Sequence, residues 1–256
     1  MIQEMQWHGH MEMIGPNPKT LPHLMEQIAP YTIRLTKRQA FPEMPPKVDN
    51  IVPIEMTDRQ QAVYDRVAKS RDIEFHFNEI DLVIRNALSL MVRLQQITSD
   101  PTLLDFDADS CKLEWLRDWL WDNPDEKVVV FTKFRETALK IAAEYKCPCI
   151  VGGEKDPAGQ IARFSNGARV LVGTIAAMGE SLDIPAASTA IFIDQEWSSL
   201  KMAQAVERID RAVENPVAKN IIRLIVPNTI DELVMEALEK KWTQQELVFH
   251  FLQPSG

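Results

Sequence analysis

Three polar side chains recur at helical spacing within residues 199–213, SLKMAQAVERIDRAV. Gln204, Arg208 and Arg211 follow an i, i+4, i+7 pattern, so a helix would present them on one stripe. A guanidinium group stays protonated and its planar fork can contact two phosphate oxygens, so this stripe suits phosphate binding. The spacing leaves an alternative open, because the same arginines could pair with acidic neighbours on a solvated helix surface. A neighbouring apolar stripe, expected to face the core, consists of Met202, Val206, Ile209 and Val213.

A second group of candidates follows short apolar runs that are typical of buried strands. Thr132 and Lys133 follow one run, Gly153 follows another, and Thr174 ends a third. Small residues let a ligand approach the backbone, and the amide groups that open a helix attract anions. A plain turn explains any one of these positions. Three such loops on one edge of a sheet would instead form a surface that can bind phosphate groups.

The sequence lacks the motifs by which nucleotide-hydrolysing sheets hold phosphate and magnesium. No glycine is followed by lysine, so the Gly-Lys-Ser/Thr phosphate loop is absent. The run TAIFIDQEW places Gln195 after Asp194, where a pair of acidic residues would hold magnesium. The Gly-x-Gly-x-x-Gly fingerprint of dinucleotide-binding domains is absent as well. We therefore predict that the chain alone is neither a complete phosphate-loop ATPase nor a dinucleotide-binding enzyme.

Composition narrows the class of protein. A chain of 256 residues, 45% of them hydrophobic, can form a full α/β domain with a smaller appendage. The three cysteines lack the spacing of a zinc site, so we predict no metal ligands and no disulfide framework. No apolar run reaches the roughly 18 residues of a spanning helix, and the N-terminus lacks the pattern of a signal peptide. We expect an intracellular protein without membrane contact.

The formal net charge of −9 is unfavourable for contact with nucleic acid, because lysine and arginine bind the phosphates. Residues 72–126 hold 13 acidic and 4 basic residues, which accounts for the whole imbalance. The rest of the chain is balanced and could still carry a local basic face.

The elements that must position the candidate residues change in character along the chain. Half of the sixteen prolines fall within the first 53 residues, which predicts a connector without regular elements over residues 1–47. Residues 48–109 are expected to form a short strand and a helical protrusion, with a helix opened by the capping box of Thr57 and Gln60.

From residue 127 onward, short apolar strands alternate with amphipathic helices, a pattern typical of a parallel sheet covered on both faces. The predicted strands cover residues 127–132, 148–151, 169–174, 189–194 and 220–227. The predicted helices cover residues 133–145, 155–166, 199–213 and 229–250, the last opened by Thr229 and Glu232. These elements predict an α/β domain over residues 110–256, with the candidate residues at the carboxyl ends of its strands.

Taken in order, segments of this chain resemble the C-terminal lobe of the Swi/Snf-type helicase-like ATPases of superfamily two. YTIRLTKRQAFPEMPPK is similar to the link that leaves the first lobe, and SCKLEWL to the opening of the second. MVRLQQITSDPTLL resembles the Leu-Arg-x-Ile-x-x-His-Pro block, with Asp100 where histidine is usual. VVVFTKF is similar to motif IV, VGTIAAMGESLDIPAASTAIFID to motif V and QAVERIDR to motif VI. The chain departs from the family pattern at two points. Asp210 stands where the family has histidine between the arginines, and AVEN (212–215) stands where it has Arg-Ile-Gly-Gln.

The resemblance implies a RecA-like parallel sheet that completes an ATP site shared with another lobe. ATP and Mg²⁺ would be held mainly by the first lobe, which carries the phosphate loop and the acidic motif. The resemblance assigns a catalytic role to Arg208 and Arg211, which would reach across to the phosphates. It assigns the nucleotide side to Gln204, Asp183 and Gly179. The variable tail resembles the shorter annealing-helicase-like or phage-type branches.

The resemblance also implies a nucleic-acid partner. Thr132, Lys133, Gly153 and Thr174 would contact the backbone of double-stranded DNA. Residues 1–47 would be the end of the first lobe. The rest of that lobe would belong to the same polypeptide or to a partner protein.

Two functions compete on these grounds. In one, the chain is half of a DNA-translocating ATPase and is inactive without the first lobe. In the other, it is a stand-alone, non-catalytic module that binds DNA or a protein. We expect it in the cytoplasm of a bacterium or phage-infected cell, or in the nucleus of a eukaryote.

Overall fold

A computed structural model gives the fold of the chain. It describes residues 2–7, 10–16, 19–33, 35, 37–42, 47–69, 80–179, 184, 186–210 and 218–253. Contacts between residues divide the chain into two units, residues 1–44 and residues 45–256. Within the described ranges, no helix is long and apolar enough to cross a membrane.

The first unit contains a hairpin and short helices. Its antiparallel strands are β1 (Ile2–Trp7) and β2 (His10–Pro16). Its helices are α1 (Leu21–Ile28) and α2 (Lys37–Ala40), with a 3-10 turn (Ala29–Tyr31) after α1. The prediction that residues 1–47 lack regular elements is therefore wrong. Proline is tolerated here because Pro22 occupies the first turn of α1, where the backbone amide has no helical partner. The connector role remains a prediction.

The second unit is built on a sheet of six described strands, which are β3 (Lys47–Pro53), β4 (Val128–Thr132), β5 (Cys149–Ile150), β6 (Val170–Thr174), β7 (Thr189–Phe192) and β8 (Lys219–Ile225). They pair in the order β3-β8-β7-β4-β6-β5, and every neighbouring pair is parallel. Every residue of β4 and β6 is buried, as a sheet covered on both faces requires. The parallel α/β architecture predicted from the strand pattern is confirmed.

Helices surround this sheet and make up most of the rest of the second unit. They are α3 (Asp58–Ala68), α4 (Ile80–Ser99), α5 (Cys111–Asp122), α6 (Arg135–Tyr145), α7 (Pro157–Ser165), α8 (Ile175–Met178), α9 (Ser199–Ile209), α10 (Ile230–Lys240) and α11 (Gln244–Leu252). The Thr57 hydroxyl accepts the Gln60 amide, so the predicted start of α3 is confirmed.

The single helix predicted over residues 229–250 is wrong, because the chain forms α10 and α11 there. Lys241 adopts a left-handed conformation with φ 55° and ends α10. Thr243 and Glu246 then form a reciprocal capping box that starts α11. At the start of α10, the Thr229 hydroxyl accepts the amide of Asp231.

The core is organised around the two faces of the sheet and a separate helical cluster. One face packs against α5 and α6, through Leu116 and Ile141, and the other packs against α9, through Met202 and Val206. The third cluster joins α3, α4, α10 and α11. The carboxyl end of α4 and the start of α5 thereby come to lie beside the carboxyl edge of the sheet, where Ser99 and Lys112 reach Asp194.

Candidate nucleotide and nucleic-acid interface

The carboxyl edge of the sheet brings several of the predicted residues together. Thr132 and Thr174 are direct register partners of β4 and β6. Ile150 pairs with Gly173 in the same edge, so the turn that carries Gly153 begins beside Thr174. Gly173 is required by close approach, since an added Cβ would collide with the carbonyl oxygen of Ile150. The expected clustering of strand ends is present.

Thr132 lies inside this edge rather than on its surface. It is fully buried, and its hydroxyl donates to Asp194 Oδ2 over 2.6 Å. The same carboxylate oxygen accepts the Ser99 hydroxyl at 3.0 Å and the Lys133 amide at 3.2 Å. The hydroxyl oxygen of Thr132 also accepts the amide of Phe134. These bonds argue against direct contact of this hydroxyl with DNA and indicate that Thr132 positions the loop after β4.

A buried lysine neutralises this carboxylate. The Lys112 side chain is completely buried, with Nζ 2.7 Å from Asp231 Oδ2 and 3.8 Å from Asp194 Oδ1. Burial favours a lower pKa for Lys112, but the two carboxylates raise its pKa above the ordinary value. Burial raises the pKa of Asp194, and the charge of Lys112 opposes that effect. Nothing in the local sequence pattern marks the Lys112–Asp231 pair, although both residues lie in the first turns of helices.

The Lys133 side chain is held in a cage of three partners. Its Nζ lies 2.7 Å from Gln95 Oε1, 3.8 Å from the centre of the Trp197 ring and 3.9 Å from Glu196 Oε1. Only 14% of the side chain is exposed. Burial lowers the pKa of Lys133 to about 8, against the opposing charge of Glu196. The amine that the sequence assigns to DNA is therefore engaged within the protein.

Gly153 and Thr174 differ in how open they are. Gly153 is exposed, has φ +85°, and no atom lies within 4 Å of the position that a Cβ would take. Thr174 is 7% exposed, and its hydroxyl accepts the amide of Ala177 at the start of α8. Gly153 is thus the open position of the two.

Helix α9 carries Gln204 and Arg208, two of the residues assigned to the nucleotide site. Met202, Val206 and Ile209 are buried, which confirms that stripe over the described residues, and Gln204 is exposed. The guanidinium of Arg208 donates from Nε and Nη2 to the carbonyl oxygen of Gly179, over 3.1 and 3.0 Å. The structure thus joins α9 to the end of α8.

The backbone adds a second link between these segments, because the Arg208 carbonyl accepts the Ile184 amide at 2.9 Å. Two of the predicted residues, Asp183 and Arg211, lie outside the described residues, as does Val213 of the apolar stripe.

The groups present suit an anion better than a metal. Arg208 and Gln204 supply nitrogen donors on α9, and two donors of the Arg208 guanidinium are already used on the Gly179 carbonyl. Within the described ranges, no cluster of histidine, cysteine and acidic side chains could hold a metal ion. Nitrogen donors of this kind can bind phosphate oxygens.

Two family models match the chain. The SNF2-related domain matches residues 6–103, and the helicase conserved C-terminal domain matches residues 111–213. An uncharacterized ATP-dependent helicase from Mycoplasma pneumoniae is 26% identical over 242 residues, which cover 88% of this chain and 22% of that protein. The chain spans less than a quarter of the length of this relative and of its counterpart in Mycoplasma genitalium, 22% and 23%.

Solved structures share the fold. The SWI2/SNF2 ATPase core of Sulfolobus solfataricus in complex with dsDNA aligns with a TM-score of 0.68 and 20% identity, over 91% of this chain and 54% of that chain. The C-terminal part of the Fun30 ATPase domain aligns with a TM-score of 0.62 and 16% identity, over 82% of this chain and 99% of that chain.

Proposed function

This chain belongs to the Swi/Snf-type helicase-like ATPases of superfamily two, and we propose that it is the C-terminal lobe of a DNA-dependent ATPase motor. ATP and Mg²⁺ are held mainly by a first lobe that carries the phosphate loop. This lobe contributes Gln204, Gly179 and Asp183 on the nucleotide side, and Arg208 and Arg211 for the charge that develops on the phosphates. Such a motor works where DNA is found, in the cytoplasm of a bacterium or phage-infected cell or in a eukaryotic nucleus.

The observation that carries the proposal is the double hydrogen bond from Arg208 to the Gly179 carbonyl. It ties α9, which carries Gln204 and Arg208, to Gly179, which follows α8 and therefore the strand that ends at Thr174. The guanidinium is thereby fixed between α9 and the segment that follows β6. Preorganised donors of this kind stabilise charge in a transition state without having to reorganise during the reaction.

The proposed DNA contacts divide into open and supporting residues. Gly153 offers exposed backbone, and Thr174 lies beside it with its hydroxyl at a helix start. Thr132 supports the loop from inside, and Lys133 supplies the cation next to it. Contacts of this kind fix a phosphate backbone without reading the bases. Binding of duplex DNA should therefore be independent of sequence and sensitive to salt.

The test is turnover in a two-lobe motor, made by joining this chain to a first lobe with a phosphate loop. Arg211→Ala is expected to reduce DNA-stimulated ATP hydrolysis by about 10³ to 10⁵, and Arg208→Ala to reduce it in the same direction. Lysine at either position should not restore the rate, because an ammonium lacks the planar fork.

Arg163→Ala serves as the matched control, since Arg163 is an exposed arginine of the same lobe that bonds Gln160. Its turnover should equal that of the unaltered motor. Arg211→Ala should change the free energy of unfolding by no more than about 0.5 kcal/mol. Wild-type turnover in both arginine variants would overturn the catalytic assignment. DNA binding by the chain without turnover in any joined motor would favour the non-catalytic binding module instead.

A further inference from the structure

Gln95 occupies the point where two loops at the carboxyl edge meet. Its side chain belongs to α4 and is 1% exposed. Its Oε1 accepts both the Lys133 amine at 2.7 Å and the indole Nε1 of Trp197 at 2.6 Å. Its Nε2 donates to the carbonyl oxygen of Gln195 at 3.1 Å. One amide thus fixes the loop after β4 and, at two points, the loop between β7 and α9.

Both acceptor positions of this amide oxygen are occupied by strong donors. The Lys133 amine has a further partner in the Trp197 ring, which lies 3.8 Å away, and a carboxylate at 3.9 Å. An amine with an acceptor, an aromatic face and a carboxylate around it is well satisfied where it is. Any phosphate that recruits it must compete with Gln95.

We propose that Lys133 contacts a DNA phosphate only after its amine leaves Gln95, and that Gln95 is the positioning residue that keeps the amine inside the protein until DNA binds. We call this arrangement the gate. The inference rests on the proposed function for its ligand, the phosphate backbone of duplex DNA. Because Gln95 belongs to α4, the packing of the protrusion against the sheet sets the strength of DNA binding. The surroundings of Trp197 should change when the amine leaves, since its indole Nε1 donates to the same Gln95 oxygen.

The geometry predicts opposite effects for two substitutions at one position. Gln95→Ala removes the acceptor and frees the amine, so affinity for duplex DNA should increase roughly three- to tenfold. Gln95→Glu loses the hydrogen bond to the Gln195 carbonyl. It keeps an acceptor oxygen beside the amine and adds a negative charge, so the amine is held more firmly and affinity should decrease by a similar factor. A purely structural role for Gln95 would make both variants bind more weakly, in proportion to their loss of melting temperature.

The experiment measures anisotropy of a fluorescein-labelled duplex at fixed salt, with the full chain. It includes the double variant Gln95→Ala, Lys133→Gln, in which the gain in affinity should vanish. Gln61→Ala is the matched control, because Gln61 is an exposed glutamine whose amide bonds Asp65 on α3. It should bind DNA like the unaltered chain.

A second readout does not depend on DNA affinity. The rate at which an amine-reactive acetylating reagent modifies Lys133, mapped by mass spectrometry, should rise in Gln95→Ala and fall in Gln95→Glu. Lys240, whose side chain is 56% exposed, provides the internal reference rate. Duplex DNA should slow modification of Lys133 in the unaltered chain, because the phosphates then occupy the amine.

The outcomes separate the gate from the proposed function. If Lys133 reactivity is the same in all variants, or if DNA binds without protecting Lys133, the gate is overturned. If reactivity changes as expected but no variant binds DNA, the cage stands and the proposed DNA-binding function is overturned. Opposite changes in affinity for the two Gln95 variants, with the gain lost in the double variant, establish the gate.

Discussion

Lysine side chains occupy three different environments in this lobe. Lys240 is 56% exposed and pairs with Glu236 on the surface of α10. Lys133 is caged at the carboxyl edge with 14% of its side chain exposed. Lys112 is completely buried between two carboxylates. Because solvation and neighbouring charge set both the pKa of a lysine and the cost of removing it, the three should respond differently to pH and to substitution.

The contribution of Lys133 to DNA binding is expected to disappear as the pH rises. Burial lowers the pKa of Lys133 to about 8, while the facing groups Glu196 and Asp194 raise it and Lys201 lowers it. Below that pH the amine is charged and available to phosphate, and above it the charge is lost. The slope of log affinity against log salt should therefore become shallower by about 0.9 between about pH 7 and about pH 9.5.

Anisotropy over a salt series at the two pH values measures this change. Lys133→Arg provides the control, since a guanidinium stays charged over the whole range and its slope should not respond to pH. An unaltered chain whose slope is also independent of pH would show that Lys133 makes no phosphate contact.

At the scale of elements, the buried charges act as a junction between helices and sheet. Lys112 extends from the first turn of α5, Asp231 from the first turn of α10, and Asp194 from the loop that follows β7. Thr98, in the last turn of α4, donates to Asp231 at 2.9 Å. Three helices are thereby fixed to the sheet edge that carries the proposed DNA contacts.

Lys112→Met is expected to lower the free energy of unfolding by about 3–5 kcal/mol, because it leaves the carboxylates of Asp194 and Asp231 buried without a compensating charge. Lys240→Met is the matched control. Its ion pair with Glu236 has a similar length, 2.6 Å, but both side chains are about half exposed, so the change should stay within about 0.5 kcal/mol. Urea denaturation measures both. Equal stability of the two variants would contradict the role assigned to the buried charges.

At the scale of the whole molecule, the proposed function makes this chain one side of a shared reaction centre. The sequence has no Gly-Lys-Ser/Thr loop, and the described residues contain no cluster suited to a metal ion. Phosphoryl transfer depends on a lysine and magnesium ligands that hold the β- and γ-phosphates. Under the proposed function, this chain supplies Arg208, Arg211 and the strand-end loops, which complement such a centre but do not replace it.

The chain alone is therefore expected to hydrolyse ATP no faster than background, with or without duplex DNA. Addition of a first lobe that carries the phosphate loop should create DNA-stimulated turnover. A coupled phosphate-release assay on the purified chain and on the mixture measures both rates. Turnover by the purified chain alone would contradict the half-site interpretation.

Local patterns in the sequence predicted most of the sheet, whereas contacts between distant segments escaped them. The apolar runs predicted β4, β6 and β8 to within two residues, because a buried parallel strand is marked by its own composition. The burial of Thr132 could not be predicted, since it depends on Asp194 and Ser99 from other elements. The break at Lys241 was missed because a left-handed lysine lacks the glycine that usually marks a helix end.

The edge strand β3 has a consequence for how the chain is made. It pairs along its whole length with β8, so that Lys47 lies opposite Lys219 and Pro53 opposite Ile225. During synthesis at roughly 5–20 residues per second, β3 leaves the ribosome several seconds before its partner exists. Val48 and Ile51, about half exposed even in the finished fold, stay uncovered throughout that interval. Because β3 is synthesised long before β8, we expect a chaperone that binds exposed apolar segments to bind β3 until β8 is available.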